Sequence, residues 1–96
     1  MEFKIHKNRY YNRLVTADTV RKEDYMCVFK NNIETIAENY EETLERIFEA
    51  FNLFLDKELT KNYAAPSLTT GDIVELVDEG FYLCNPISWT KLDSFL

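Results

Sequence analysis

The sequence predicts an α+β fold, an antiparallel β-sheet with one main amphipathic helix packed on a face, and three observations carry that expectation. A hairpin pattern occupies Gly71 to Cys84, an amphipathic stripe runs from about Tyr40 to Leu55, and two short strand patterns precede the stripe. Only two Gly and two Pro interrupt the 96 residues, which argues for regular elements with short connections. The length is that of one small domain over residues 1–96, and 46% hydrophobic residues, with seven Phe, six Tyr and one Trp, supply one real core. Disordered chains are poor in aromatics, so this composition speaks for a folded one.

Taken in order, Phe3-Lys4-Ile5-His6 alternates apolar with polar and reads as an opening strand. Asn8 to Val20 is ambiguous. Tyr11, Leu14 and Val15 fit a helical face, whereas Leu14-Val15-Thr16 also suits a strand, and the segment stays unassigned. Tyr25-Met26-Cys27-Val28-Phe29 is a second strand, bounded by Glu23-Asp24 and Asn31-Asn32.

From Tyr40 to Leu55, Tyr40, Leu44, Ile47, Phe48, Phe51, Phe54 and Leu55 fall on one broad helical stripe, with Glu41, Glu42, Glu45, Arg46 and Glu49 on the other side. Asn39 and Glu42 resemble a capping box, and Ile33, Ile36 and Ala37 keep the helical spacing, so the start is open to the N-terminal side. Glutamates in the first turns suit the helix dipole. Residues 56–67 read as a polar connection with Asn62 and Pro66 as breakers. Gly71-Asp72 then launches Ile73-Val74-Glu75-Leu76, and Asp78-Glu79-Gly80 turns it back into Phe81-Tyr82-Leu83-Cys84. A final strand spans Pro86 to Leu92 and ends near Phe95. The helix is the natural lid for a sheet that cannot bury both faces by itself.

The formal net charge is −6, unevenly placed: +3 over residues 1–30, −6 over 34–58 and −3 over 59–96. Such acidity disfavours nonspecific nucleic-acid binding, which depends on neutralising phosphates. It suits a basic partner, and plain solubility explains it equally well. Glu2 stands where a secretory leader would carry a basic residue, no apolar leader segment follows, and no apolar run approaches the ~18 residues of a membrane span. The expectation is a cytoplasmic protein away from membranes. Cys27 and Cys84 sit inside apolar runs and are expected as two buried free thiols, a disulfide being reserved for an oxidising compartment.

Candidate chemistry is thin. A Cys–His nucleophilic pair would need Cys27 or Cys84 within reach of His6, the one histidine, together with a group orienting the imidazole. The bland alternative is a buried thiol and a surface histidine. No Cys-x-x-Cys, paired His or calcium-loop ladder is written in the chain, and Gly71 and Gly80 are turn residues, so neither metal nor cofactor is expected. Asp72, after a turn glycine, is expected to cap backbone N–H groups. Lys7, Arg9, Tyr10, Tyr11 and Arg13 interleave basic and aromatic residues as single-strand nucleic-acid surfaces do, against the alternative of a solvated segment whose tyrosines cover the core. The acidic helix face, extended by Asp56 and Glu58, is either the wet side of an amphipathic helix or a carboxylate array imitating phosphates.

Three pieces in order resemble a known family: Leu44-Glu45-Arg46-Ile47-Phe48-Glu49-Ala50-Phe51-Asn52, Pro66-Ser67-Leu68-Thr69-Thr70-Gly71-Asp72-Ile73-Val74, and Phe81-Tyr82-Leu83-Cys84-Asn85. This order is similar to the small YodL-like domains and related accessory proteins of mobile genetic elements in low-GC Gram-positive bacteria. Asn85 and Ser88-Trp89 depart from the pattern, which often has Asp and Gly-Phe there. The resemblance implies a setting on a plasmid, transposon or phage, and it implies no active-site residues. The expectation is therefore a non-enzymatic protein-interaction module, a monomer or simple dimer. Its contact surface is expected around Glu41, Glu42, Glu45 and Glu49, with Trp89 as an exposed anchor. A nucleic-acid-mimicking inhibitor of a host defence nuclease, whose partner would be a DNA-binding enzyme, is the alternative. A regulator touching nucleic acid through Arg9, Tyr10, Tyr11 and Arg13 is the weaker one.

Overall fold

Alternation at the start of the chain is realised as strand β1 (Glu2–Asn8), which buries Phe3, Ile5 and, in the same phase, Lys7. A loop over residues 9–24, ending in a 3-10 turn at Lys22–Asp24, leads into β2 (Tyr25–Asn32). Helix α1 (Tyr40–Leu53) follows, then β3 (Ile73–Leu76), β4 (Gly80–Cys84) and β5 (Trp89–Leu92). The computed structural model describes residues 1–34, 40–93 and 95.

The strands make one antiparallel sheet in the order β2-β1-β3-β4-β5. The expected hairpin is present, with Ile73 opposite Leu83 and Leu76 opposite Gly80. Its three-residue loop holds Asp78 at φ 71, a left-handed conformation that Asp tolerates better than most residues. β2 and β3 both pair with β1, so they run parallel to each other and the chain steps over β1 by way of α1.

The main core lies between α1 and one face of the sheet. Leu44, Ile47, Ala50 and Phe51 pack with Phe3, Ile5, Val74, Leu76 and Tyr82, and Leu59 and Leu68 close it from the connection after the helix. A second, smaller core sits on the other face, where Tyr25, Ile73, Leu83, Leu92 and Phe95 gather under Val15 and Val20 of the 9–24 loop. The helix is thus not the sole lid. The stretch left unassigned is an irregular loop whose ends close at the Asn8–Tyr25 pair.

Several expectations need correction. The helix ends at Leu53, because Phe54 adopts φ 55, and Phe54 and Leu55 leave the stripe for the surface. Ile33 belongs to no helix; its N–H bonds the Met1 carbonyl beside β2. Asn39, Ile36 and Ala37 lie outside the described residues. The last strand begins at Trp89, with Pro86 to Ser88 forming the bend before it. Cys84 is buried as expected, but Cys27 is exposed. A bulge between the Ile5 and His6 pairings turns Cys27 away from the helix side.

Candidate functional site

On a helix of 3.6 residues per turn, Glu41, Glu42, Glu45 and Glu49 project within an arc of about 100°, opposite the buried Leu44, Ile47 and Phe51. All four are exposed. The basic member of α1, Arg46, sends Nη1 to the Glu34 carbonyl at 2.8 Å, away from that arc. Across the gap to the sheet edge, Trp89 donates its indole N–H to Glu45 Oε1 at 2.9 Å and meets the Phe48 ring edge-on at 6.4 Å. Trp89 is therefore half-buried against the helix, not a free anchor. The structure brings Glu45 and Trp89 together and joins β5 to the acidic face as one surface.

The basic and aromatic loop is divided. Tyr10 and Tyr11 stand exposed and do not cover the core. Arg9 directs Nε to the Tyr25 carbonyl, and Lys7 is withdrawn altogether. Lys7, 5% exposed, reaches Asp72 Oδ2 at 2.6 Å and the Ser67 carbonyl at 2.7 Å. Asp72 also accepts from the N–H groups of Asn8 (3.1 Å) and Thr69 (2.8 Å), the capping role its position implied. Beside it, Gly71 holds φ 96, and a Cβ there would overlap the Asn12 main-chain oxygen. Tyr25 donates its hydroxyl to the Gly71 carbonyl at 2.5 Å. This buried knot clamps β1, the 67–72 turn and the 9–24 loop together. The grouping of Lys7 with the basic and aromatic segment is overturned by this burial, which its phase with Phe3 and Ile5 signals.

His6 is not a surface residue either. Its Nε2 bonds Glu75 Oε1 at 3.0 Å, and the ring packs against Phe81 and Phe95. Cys27 lies opposite His6 on the adjacent strand, while its thiol donates to the Phe29 carbonyl. Cys84 is on the helix side, far in sequence and on the other face of the sheet. Among the described residues no group of three or more His, Cys, Asp or Glu side chains is arranged to hold a metal ion, and no helix is long and apolar enough to cross a membrane.

Burial pushes the Cys84 thiol up to about 12, reinforced by Asp72 and Glu45 and opposed by Lys7. Burial, with a smaller contribution from Asp72, likewise pushes the Tyr63 hydroxyl up to about 12. Both groups stay protonated in the folded state after their unfolded counterparts ionise. The contribution of these two groups to stability is therefore full below about pH 9 and is lost as pH rises toward 12, by at most about 1.4 kcal/mol per pH unit for the buried Cys84 thiol and by less for Tyr63, which is partly open to solvent. Urea midpoints taken from pH 8 to 11 should fall accordingly, and Cys84→Ala should flatten the slope in that range. A midpoint constant up to pH 11 would contradict this assignment.

The family model of the YodL-like domain matches residues 3–95, from β1 through Phe95. No curated protein and no solved structure gives a significant match.

Proposed function

We propose, from the premise that the chain belongs to the YodL-like domain family, that it is a non-enzymatic protein-interaction module of a mobile genetic element, working in the cytoplasm. One observation carries the reading: Trp89 is held by Glu45 and Phe48 so that an indole and a row of carboxylates share one continuous surface. An aromatic face rimmed by charge is the composition that anchors protein partners, while the carboxylates steer a basic one. The hydrogen bond fixes the indole before binding, which lowers the ordering cost of a complex.

The direction of Arg46 favours a specific form of this reading. With its guanidinium drawn to Glu34, the arc of Glu41, Glu42, Glu45 and Glu49 presents negative charge at helical spacing. A DNA-binding enzyme whose groove takes phosphates is the partner that such an array suits. Capture of a host protein on the tagged chain, eluted in rising salt, tests both forms. The mimic predicts release at moderate salt and loss of at least tenfold in affinity on joint Glu41→Lys, Glu42→Lys, Glu45→Lys and Glu49→Lys substitution, with the thermal midpoint nearly unchanged. Trp89→Ala should weaken any partner of this surface, by about 2 kcal/mol or more for a hot spot. Retained binding in both variants would place the contact elsewhere on the molecule.

A further inference from the structure

We propose that two exposed patches of this chain, residues 9–14 of the loop after β1 and residues 53–58 after α1, dock onto each other between copies, so that the occupant of each patch is a second copy of the chain. Eight large hydrophobic side chains stand exposed among the described residues. Six of them fall in these two stretches: Tyr10, Tyr11 and Leu14 in the first, Leu53, Phe54 and Leu55 in the second. Their exposures run from 43% at Phe54 to 86% at Leu14, so neither patch covers the other within one copy. Single apolar residues at a surface are ordinary, whereas two groups this close in sequence mark sites of contact.

The backbone singles out the same two places. Four non-glycine residues have a positive φ among the described residues, and two of these, Asn62 and Asp78, are types that tolerate it. The other two are bulky aromatics, Tyr11 at φ 53 and Phe54 at φ 55, one in the middle of each patch. Such strain persists only where the surroundings impose it, and it gathers at functional segments. For Tyr11 the constraint is the buried Asn8, whose carbonyl takes the Tyr11 N–H and whose Oδ1 takes the Tyr10 N–H at 2.9 Å. For Phe54 it is the helix end, with its ring 6.3 Å from that of Tyr63.

Charge selects the occupant. Residues 9–16 carry Arg9 and Arg13 and no acid, for +2, while residues 49–58 carry Glu49, Asp56 and Glu58 against Lys57, for −2. Among the described residues none of Arg9, Arg13, Glu49, Asp56 and Glu58 forms an ion pair, and of the acids later in the loop Glu23 is held by Arg21. One patch is therefore apolar with arginines and the other apolar with carboxylates, the complementarity that fixes a docking pair. The loop covers one face of the sheet and α1 the other, so a copy engaged through one patch still offers its second. Such a contact is heterologous and extends past two copies unless the array closes into a ring. Glu49 ends the acidic arc, but the contact needs neither Trp89 nor an outside partner and stands apart from the function proposed above.

Sedimentation of the full chain, freed of nucleic acid, tests this from about 10 μM to about 1 mM, the range in which small interfaces associate. The average mass should rise with concentration, and the association should weaken several-fold between about 0.05 and about 0.3 M salt. One variant joins Tyr10→Ser and Leu14→Ser, and another joins Leu53→Ser and Leu55→Ser. These side chains are mostly in solvent, so the thermal midpoints should stay near that of the parent. Each variant alone should associate at least tenfold more weakly, and an equal mixture of the two should recover a one-to-one pair, because each keeps the patch that the other lacks. Arg13→Glu should reproduce a several-fold loss by charge alone. Tyr11→Asn should weaken association with the midpoint unchanged or raised, since Asn accepts the left-handed backbone. A monomer across the whole range, a mixture that stays monomeric, or association that requires added single-stranded nucleic acid would each overturn the proposal.

Discussion

Asp72→Ala is expected to cost about 3–5 kcal/mol, a large fraction of the stability of a domain this size. The carboxylate is 2% exposed and is, among the described residues, the sole anionic partner of a lysine nearly as buried, so its removal strands an ammonium inside the fold. The N–H groups of Asn8 and Thr69 lose their acceptor in the same step. Lys7→Met on the Asp72→Ala background should recover part of the loss, since no buried charge then remains. Urea denaturation of the four proteins in the cycle measures this coupling. A loss under about 1 kcal/mol for Asp72→Ala would mean that Lys7 reaches water in the folded state.

Phe51→Ala is expected to destabilise by a similar amount, about 3–5 kcal/mol, for a different reason. Phe51 is fully buried, with ring centroids 5.8 Å from Phe3, 5.4 Å from Phe29 and 4.9 Å from Tyr63. It joins the helix, the central strand, the edge strand and the following connection. Phe54→Ala, three residues on and in phase by spacing, should cost clearly less, about 1 kcal/mol, because that residue is 43% exposed. Chemical denaturation of the two variants compares them directly, and equal losses would contradict the helix end at Leu53.

The elements with local signals were legible. Gly71-Asp72 and Asp78-Glu79-Gly80 bracket the hairpin as their turn chemistry requires, and Leu44, Ile47 and Phe51 mark the buried side of α1. What misled was phase. Tyr25 to Phe29 reads as one apolar run, but the bulge puts Tyr25 and Cys27 on one face and Phe29 on the other, although all three are odd-numbered. Such a slip depends on the partner strand and leaves no mark in the run itself. The helix end was missed because Phe54 carries a left-handed backbone that the spacing of apolar residues does not encode. Of the candidate surface, the acidic arc was readable by period alone, whereas the Glu45–Trp89 bond links positions 44 residues apart and needed the sheet to bring them together.

The central place of β1 has a consequence for how the chain reaches this state. Its first strand finds its second neighbour only at Ile73–Leu76, and the bonds that pin it, Lys7 to Asp72 and His6 to Glu75, span 65 and 69 residues. During synthesis the edge of β1 that faces β3 therefore waits unpaired until Ile73–Leu76 has left the ribosome, although β2 can cover the other edge early. Loops of that length close late and slowly. No fragment ending before β3 retains the native sheet, so a nascent chain interrupted there is a substrate for chaperones or proteases, not a smaller working protein.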